Sequence, residues 1–149
     1  MELRAATLDD IEALLVLEQG VIEAERPFNA AIKAEGATYY DLHTLINEPH
    51  HNVIVAELEG RIIASGYVSI RDSRACFSHT RHGYLGFMYV NPDYRGQGIN
   101  KRIMDNLLSW AKDQGVEAFY LDVYAENQAA IKAYEKLGFK SSKIEMQLI

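Results

Sequence analysis

The strongest periodic pattern in the chain lies between residues 98 and 114. Ile99, Ile103 and Leu107 recur at helical spacing, with polar residues on the opposite side. Such a stripe is typical of an amphipathic helix that buries one face. Gly115 follows the last periodic position and suits the left-handed conformation in which many helices end. The pattern therefore predicts a helix over 98–114 that packs against a core.

Strand patterns precede and follow this helix. Residues 52–57 and 61–70 are rich in apolar side chains and are joined at Glu59-Gly60, which favours a tight hairpin. Residues 83–90 form the next strand pattern, and in 118–124 apolar residues alternate with Tyr and Asp. The sequence predicts four strands here, two of them in one hairpin.

Weaker patterns complete the order of elements. Thr7 followed by Asp10 marks the start of a helix, and Pro27 marks its end. The remaining predicted elements are a strand at 3–6, a helix to about residue 25, helices at 38–47 and 127–137, and closing strands at 139–142 and 144–149. Strands interspersed with helices predict a mixed α/β domain with helices on both faces of one sheet.

Composition narrows the classes of function. The 149 residues predict a single domain, 1–149, with an ordinary share of apolar residues (48%). The net charge of −6 argues against nucleic acid as a partner, because that binding needs a basic face. No apolar run reaches the length of a membrane span, and the first residues do not resemble a signal peptide. We therefore expect no membrane partner and a cytoplasmic location.

A glycine-rich turn precedes the long helix. Gly96 and Gly98 carry no Cβ, so an anion could approach the backbone N–H groups that open the helix. Arg95 and Lys101 add local positive charge. The turn lacks the Lys-Ser/Thr of a P-loop and the third Gly of a dinucleotide fingerprint. These residues alone leave two interpretations open: a phosphate cradle, or a turn that uses glycine only for its geometry.

A second motif lies on the last predicted helix. Tyr134 follows Asn127 by seven residues, close to two helical turns, so both side chains face the same side. A neutral phenol can donate a proton to a bound ligand, and an amide can donate a hydrogen bond. Helix capping by Asn127 and a core position for Tyr134 are the alternative interpretations.

Together the two motifs closely resemble those of the GNAT superfamily of acyl-CoA-dependent N-acyltransferases. The first has the family form Gln/Arg-x-x-Gly-x-Gly/Ala and reads Arg95-Gly96-Gln97-Gly98-Ile99-Asn100 here. The second, Asn-x-x-Ala-x-x-x-Tyr-x-x-x-Gly-Phe, is matched by Asn127, Ala130, Tyr134, Gly138 and Phe139. The strong match covers about residues 84–140. The resemblance implies an α/β (α+β) fold with a mixed, mostly antiparallel central sheet and helices on both faces.

The resemblance implies a site for acetyl-CoA as the acyl-donor cosubstrate. Backbone groups of the strand end would bind the pantetheine arm, and the glycine-rich turn would hold the pyrophosphate. The implied cofactor-binding residues are Met88, Tyr89, Val90, Arg95, Gly96, Gln97, Gly98, Ile99, Asn100, Lys101 and Asn127. Asn100 stands where the family has Gly or Ala, so we expect weaker or slightly shifted binding. This departure keeps open an alternative function, a non-catalytic acyl-CoA-binding sensor or interaction module.

The resemblance also implies the reaction, direct transfer of an acetyl group from acetyl-CoA to a primary amine of a small molecule or peptide. Tyr134 would protonate the departing thiolate, and Asp122, five residues before Asn127, is the candidate general base. A carboxylate that merely accepts hydrogen bonds at a strand end is the alternative for Asp122. His79 and His82 lack a third ligand at a suitable spacing, so we expect no metal.

The acceptor is the least determined part of the predicted site. In the family it is chosen by the first two helices and the loop before the cofactor strand. These regions contain Glu18, Glu23, Glu25, Tyr39, Tyr40, His79 and His82. An acidic and aromatic lining would suit a cationic amine, but a solvated helix face explains the glutamates equally well. The family also allows a homodimer, which the sequence itself does not indicate.

Overall fold

A computed structural model describes all residues from Met1 to Ile149. Its strands are β1 (Glu2–Ala5), β2 (His51–Leu58), β3 (Arg61–Asp72), β4 (Arg81–Val90) and β5 (Phe119–Tyr120). Its helices are α1 (Ile11–Glu25), α2 (Leu42–Asn47), α3 (Ile99–Lys112) and α4 (Gln128–Lys136). Short 3₁₀ turns lie at Leu8–Asp10, Arg26–Phe28 and Pro92–Tyr94. None of the helices is long and apolar enough to cross a membrane.

The five strands form one sheet in the order β1-β2-β3-β4-β5. All neighbours pair antiparallel except β4 and β5, which are parallel. The predicted hairpin is confirmed: Glu59 and Gly60 have φ of +52° and +76°, which matches a turn whose twist follows that of the strands. The sheet is therefore mixed and mostly antiparallel, as the resemblance implied.

Alternation along β2 divides the core between the two faces of the sheet. Ile54 and Ala56 face α3, whereas Val53 and Val55 face α1 and α2. The apolar stripe of α3 is buried against the sheet, and its residue Ile103 has no exposed surface. The predicted placement of helices on both faces of one sheet is confirmed, because each helix covers apolar side chains that the strands present to its side.

An ion pair fixes the start of α1 against the edge of the sheet. The guanidinium of Arg4 donates to both oxygens of Asp10, at 2.7 and 2.9 Å, and the Thr7 N–H donates to the same carboxylate at 2.8 Å. These hydrogen bonds, above all those from Arg4, hold the pKa of the Asp10 carboxyl below its ordinary value of 3.8. The predicted helix start is confirmed, and its carboxylate also joins β1 to α1.

The second helix is shorter than its pattern predicts. The backbone N–H groups of Tyr39 and Tyr40 donate to Oε2 of the buried Glu18, at 3.0 and 2.9 Å. A carboxylate that takes these donors holds residues 38–41 in a loop across α1. The helix begins only after Asp41, whose side chain caps it by accepting from the Thr44 N–H.

The predictions for the C-terminal third were partly wrong. The strand predicted at 118–124 is limited to the two residues of β5, and the closing strands predicted at 139–142 and 144–149 do not form. Residues 140–149 are exposed, although Ile144, Met146 and Leu148 alternate with polar residues as strand residues do. An alternating pattern indicates which residues would share one face of a strand, but it does not show that a neighbouring strand is available. In this structure β5 has only two residues with which a closing strand could pair.

The carboxylate of Asp10 provides a test of the fold. Asp10→Asn leaves Arg4 without its ion-pair partner, so we expect a loss of about 1–3 kcal/mol in the free energy of unfolding. Because the folded pKa is lowered, the contribution of Asp10 is present above pH 3.8 and is lost as the pH falls. Urea unfolding at pH 7 and at pH 3 measures both effects. Asp9→Asn, at an exposed neighbouring carboxylate, is the control, and equal losses in both variants would contradict the assignment.

Candidate functional site

The end of β4 carries a β-bulge. Ser65 pairs with Tyr89 and Tyr67 with Gly86, so β4 contains one residue more than β3 in this stretch. The backbone of Phe87 is strained, because its φ of +53° lies in the left-handed region that residues other than glycine rarely adopt. The Ser65 hydroxyl donates to the Phe87 carbonyl at 2.9 Å, and the Phe87 ring stacks on another aromatic ring at 4.4 Å. Buried contacts therefore hold the bulge in place.

The outer edge of β4 is open beyond this bulge. β5 pairs with β4 only at Gly83 and Tyr84, so the edge from residue 85 onward has no neighbouring strand. Unpaired strand edges present backbone donors and acceptors to a ligand. We refer to this open edge, between the end of β4 and the segment that leads into α4, as the groove.

The side chains at the end of β4 are committed to packing. Tyr89 packs so closely on α1 that a Cβ at Gly20 would overlap its phenol, and Met88 lies over Gly66 on the opposite face. Val90 is buried in the core under α3. The backbone of these three residues is thus the part left for a ligand at the open edge, and the role predicted for residues 88–90 stays a prediction.

The glycine-rich turn exposes a row of backbone donors. The N–H groups of residues 96–101 have no acceptor within the protein. Gly96 and Gly98 have φ of +80° and +78°, and a Cβ at either would meet no atom within 4 Å. The left-handed backbone favours glycine at both positions, and without a Cβ the space in front of the turn stays open. Free donors at the start of a helix form an anion-binding cradle.

The charged side chains of the cradle have separate contacts. Arg95 donates from Nε to the Val90 carbonyl at 2.9 Å and lies 5.4 Å from the Tyr89 ring, so it fixes the turn to β4. Lys101 pairs with Asp105 at 2.6 Å and is exposed. Asn100 is half-buried on the first turn of α3, and its N–H is among the free donors. The departure at residue 100 therefore keeps the donor.

On α4, Tyr134 has no hydrogen-bond partner for its hydroxyl, whereas Asn127 caps the helix. The Asn127 side-chain oxygen accepts from the Ala130 N–H at 3.2 Å, which leaves its amide N–H₂ free. Burial raises the pKa of Tyr134, and the Glu25 carboxylate raises it further. The phenol therefore stays protonated at neutral pH and can act as a proton donor.

Asp122 lies outside the short strand β5 and is exposed. It accepts a hydrogen bond of 2.6 Å from the Tyr84 hydroxyl, whereas its neighbours Tyr120 and Tyr124 bond to other residues. The Tyr84 ring lies 4.1 Å from the guanidinium carbon of Arg71. The structure thus brings Asp122 to a polar surface formed by β3 and β4.

Glu25 is the residue that sequence reasoning did not connect with Tyr134. It ends α1, it is half-buried, and none of the ion pairs in the protein includes it. Burial, and then the nearby Glu25 carboxylate as a hydrogen-bond acceptor, raise the pKa of the buried Tyr39 hydroxyl, although the two groups do not reach the geometry of a short hydrogen bond. No spacing in the sequence signals this proximity, because the three residues come from distant parts of the chain.

The turn after α1 contacts the segment that leads into α4. Phe28 stacks on Tyr124 at 6.2 Å, and the Asn29 amide donates to the Tyr124 hydroxyl at 2.9 Å. These contacts bring the end of α1 beside the segment before Asn127. The acidic and aromatic residues at the end of α1 thus lie beside the segment that leads into α4.

His79, in the loop before β4, and His82, at the start of β4, contact one hydroxyl between them. Nδ1 of His79 and Nδ1 of His82 lie 2.7 and 3.0 Å from the Ser73 hydroxyl, and Nε2 of His79 lies 2.8 Å from the Tyr120 hydroxyl. These ring nitrogens are used in a hydrogen-bond network along the β3–β4 loop.

Comparisons with known proteins agree with this geometry. The sequence model of the acetyltransferase (GNAT) family matches residues 18–139. The L-amino acid N-acyltransferase MnaT of Escherichia coli (strain K12) is 31% identical over 101 residues, which cover 68% of this chain and 55% of that protein. Acetyltransferase ECA0875 of Pectobacterium atrosepticum is 31% identical over 144 residues, which cover 95% of this chain and 89% of that protein. The chain therefore spans about half the length of the first relative and most of the second.

A solved structure shares the fold. It is the crystal structure of a predicted acetyltransferase with acetyl-CoA from Clostridium acetobutylicum. The TM-score is 0.79 at 22% sequence identity, and the match covers 99% of this chain and 95% of that one.

Proposed function

Because the chain belongs to the acetyltransferase (GNAT) family, we propose that it transfers the acetyl group of acetyl-CoA directly to a primary amine of a small molecule or peptide. The observation that carries this proposal is the row of N–H groups at 96–101, which have no acceptor within the protein, in a turn whose Gly96 and Gly98 have no atom in front of the Cβ position. A pyrophosphate supplies the acceptors that these donors need. Residues 1–149 act as one N-acetyltransferase domain in the cytoplasm.

The donor side of the site uses backbone groups. The cradle at residues 96–101 holds the pyrophosphate, and the open edge at Met88, Tyr89 and Val90 holds the pantetheine arm as an added strand would. The Asn127 amide contributes a further donor. Backbone N–H groups at the bulge stabilise the negative charge that develops on the thioester oxygen.

Tyr134 is the general acid. The neutral amine attacks the thioester carbon, a C–N bond forms and the C–S bond breaks. The departing thiolate takes the proton of the Tyr134 hydroxyl, and the phenolate is restored by the proton that the amine nitrogen loses. Holding the two substrates together contributes effective molarities above ~10⁵ M. A single general acid contributes about 10²–10⁴ in rate.

The acceptor is a cationic amine that Glu25 attracts. A primary amine has a pKa near 10 and arrives as an ammonium ion. Glu25 is a half-buried carboxylate without an ion-pair partner beside phenols, which suits this charge better than a solvated glutamate would. Asp122 is exposed and bonds to Tyr84, so it either assists from the polar surface or leaves the amine proton to Glu25 and water. MnaT, a relative that acylates L-amino acids, supports a small amine as acceptor.

Loss of cradle geometry should abolish binding of acetyl-CoA. Titration calorimetry of the unaltered protein is expected to show one-to-one binding with a sub-millimolar Kd. Gly98→Glu places bulk and negative charge in front of the donors, and we expect no measurable binding. Gly60→Glu is the matched control, because Gly60 has the same left-handed φ and open space but lies in the hairpin turn. Tight binding by the folded Gly98→Glu protein would refute the cradle.

Removal of the Tyr134 hydroxyl should slow the chemical step. For Tyr134→Phe we expect turnover to fall by about 10²–10⁴, with acetyl-CoA affinity little changed. Thiol release measured over a panel of amines gives turnover, and calorimetry gives the affinity. Tyr120→Phe, at an exposed phenol, is the control. Unchanged turnover under conditions where chemistry limits the rate would remove Tyr134 from the mechanism.

Acetyl-CoA binding by the unaltered protein without thiol release on any amine would favour the sensor function.

A matched pair of neutral variants distinguishes the roles of Glu25 and Asp122. We expect Glu25→Gln to raise the acceptor KM by about tenfold, the equivalent of one lost charge contact near 1.4 kcal/mol, with a smaller change in kcat. Asp122→Asn is expected to have a mild effect, because water can take the amine proton. Glu23→Gln, at an exposed glutamate two residues before Glu25, is the control. If Asp122→Asn gives the large loss and Glu25→Gln does not, the acceptor role belongs to Asp122.

A further inference from the structure

A cluster of potential metal ligands lies where α2 leads into β2. One oxygen or nitrogen atom from each of Glu48, His50 and His51 lies within 4.8 Å of the others. Oε2 of Glu48 is 3.3 Å from Nε2 of His50 and 3.6 Å from Nε2 of His51. The two imidazole rings lie side by side, with centroids 4.0 Å apart. This group has no part in the groove described above.

These separations fit a zinc ion. Zinc binds imidazole nitrogen and carboxylate oxygen at about 2.0–2.2 Å in tetrahedral geometry. Two ligands at that bond length and at the tetrahedral angle lie about 3.4 Å apart. The two measured nitrogen–oxygen separations lie on either side of this value. All three ligand atoms lie within 4.8 Å of one another, so the exposed Glu48 and His50 side chains need to move only within that distance to close the tetrahedron around an ion.

The backbone of all three residues is already fixed. The Glu48 N–H donates to Thr44 at 3.0 Å, the His51 N–H donates to Glu48 at 3.3 Å, and the His50 carbonyl accepts from Ile70 at 2.8 Å. Ligands on a fixed backbone lose little conformational freedom when an ion binds. The turn therefore presents the ligands without local folding.

A buried hydroxyl orients one ring. Nδ1 of His51 lies 2.7 Å from the hydroxyl of Ser69, a residue with 1% exposed surface. With its hydrogen on Nδ1, His51 directs the Nε2 lone pair toward Glu48. Metal-binding histidines are held in this way, by a hydrogen bond from the ring nitrogen that does not contact the ion.

We propose that Glu48, His50 and His51 bind a divalent transition-metal ion of the zinc type, with water in the fourth position. An ion pair between the glutamate and either histidine explains one contact at a time, but it does not require both rings to converge on the same oxygen. Arg71 and Arg81 line the same surface cavity as the two histidines. Their charge opposes a cation, so we expect affinity in the micromolar range.

The position of the site predicts a structural role. His51 pairs with Ser69 on β3, whereas the cradle end of the sheet is marked by the pairing of Ala64 with Val90. Five residues of β3 separate the two levels, or about 17 Å. A bound ion would tie the end of α2 to the start of β2 and leave the groove unchanged.

Titration calorimetry of the untagged full chain with zinc chloride tests the proposal. We expect one-to-one binding, a rise in Tm with zinc and unchanged acetyl-CoA affinity. Glu48→Gln and His50→Ala, both at exposed side chains, are expected to weaken zinc binding by more than tenfold. Ser69→Ala should weaken it by about tenfold through loss of ring orientation.

Two control variants separate this site from other histidines. His43→Ala, on the exposed side of α2, and the double variant His79→Ala/His82→Ala should bind zinc as the unaltered protein does. The absence of binding up to about 1 mM zinc, a binding free energy no better than about −4 kcal/mol, would overturn the proposal. It would also be overturned if binding survived in the Glu48 and His50 variants but disappeared in the His79/His82 variant.

Discussion

The proposed site depends on one constraint: β4 must pair with β3 along its whole inner edge and remain unpaired along the end of its outer edge. Its inner edge continues the ladder with β3 to Val90, whereas its outer edge loses β5 after Tyr84. The bulge reconciles these demands, because the additional residue turns the backbone while the Ser65 hydroxyl satisfies the displaced carbonyl. Burial of the Phe87 ring stabilises a backbone conformation that would otherwise be unfavourable.

The cradle follows from the same constraint. Because β4 remains paired with β3 to its last residue, the turn after it starts from a fixed point, which Arg95 secures by its bond to the Val90 carbonyl. The first turn of α3 then stands directly beyond the open edge. A strand edge and a helix N-terminus at one place offer backbone donors to the two ends of a long ligand, a thioester arm and a pyrophosphate. Apart from the Asn127 amide, this half of the proposed site uses backbone groups alone.

The difference between local structure and contacts that are distant in the chain explains which parts of the fold the sequence predicted. The glycine-rich turn and helix α3 are local structures, so Gly96, Gly98 and the apolar stripe of α3 predicted these two elements correctly, whereas the anion site remains a prediction. The hairpin at Glu59-Gly60 was equally local. The prediction of closing strands was wrong because a strand needs a neighbour to pair with, and an alternating pattern does not show whether one is present. The second helix was predicted too long because the N–H groups of Tyr39 and Tyr40 donate to Glu18 instead of to a helix. The proximity of Glu25 to Tyr134 depends on tertiary packing alone, and no pattern in the chain signals it.

Glu18 and Glu25 show how a structural carboxylate differs from a candidate functional one. They lie seven residues apart on α1, so they face the same side of the helix. Glu18 is 1% exposed and is used by two backbone N–H groups, which fixes the loop that carries Tyr39. Glu25 is half-buried beside Tyr39 and has no ion-pair partner in the protein, which is why it is the carboxylate proposed to meet a cationic acceptor. Glu18 therefore has a structural role through Oε2, although its Oε1 is buried without a hydrogen-bond partner, whereas the backbone uses neither oxygen of Glu25.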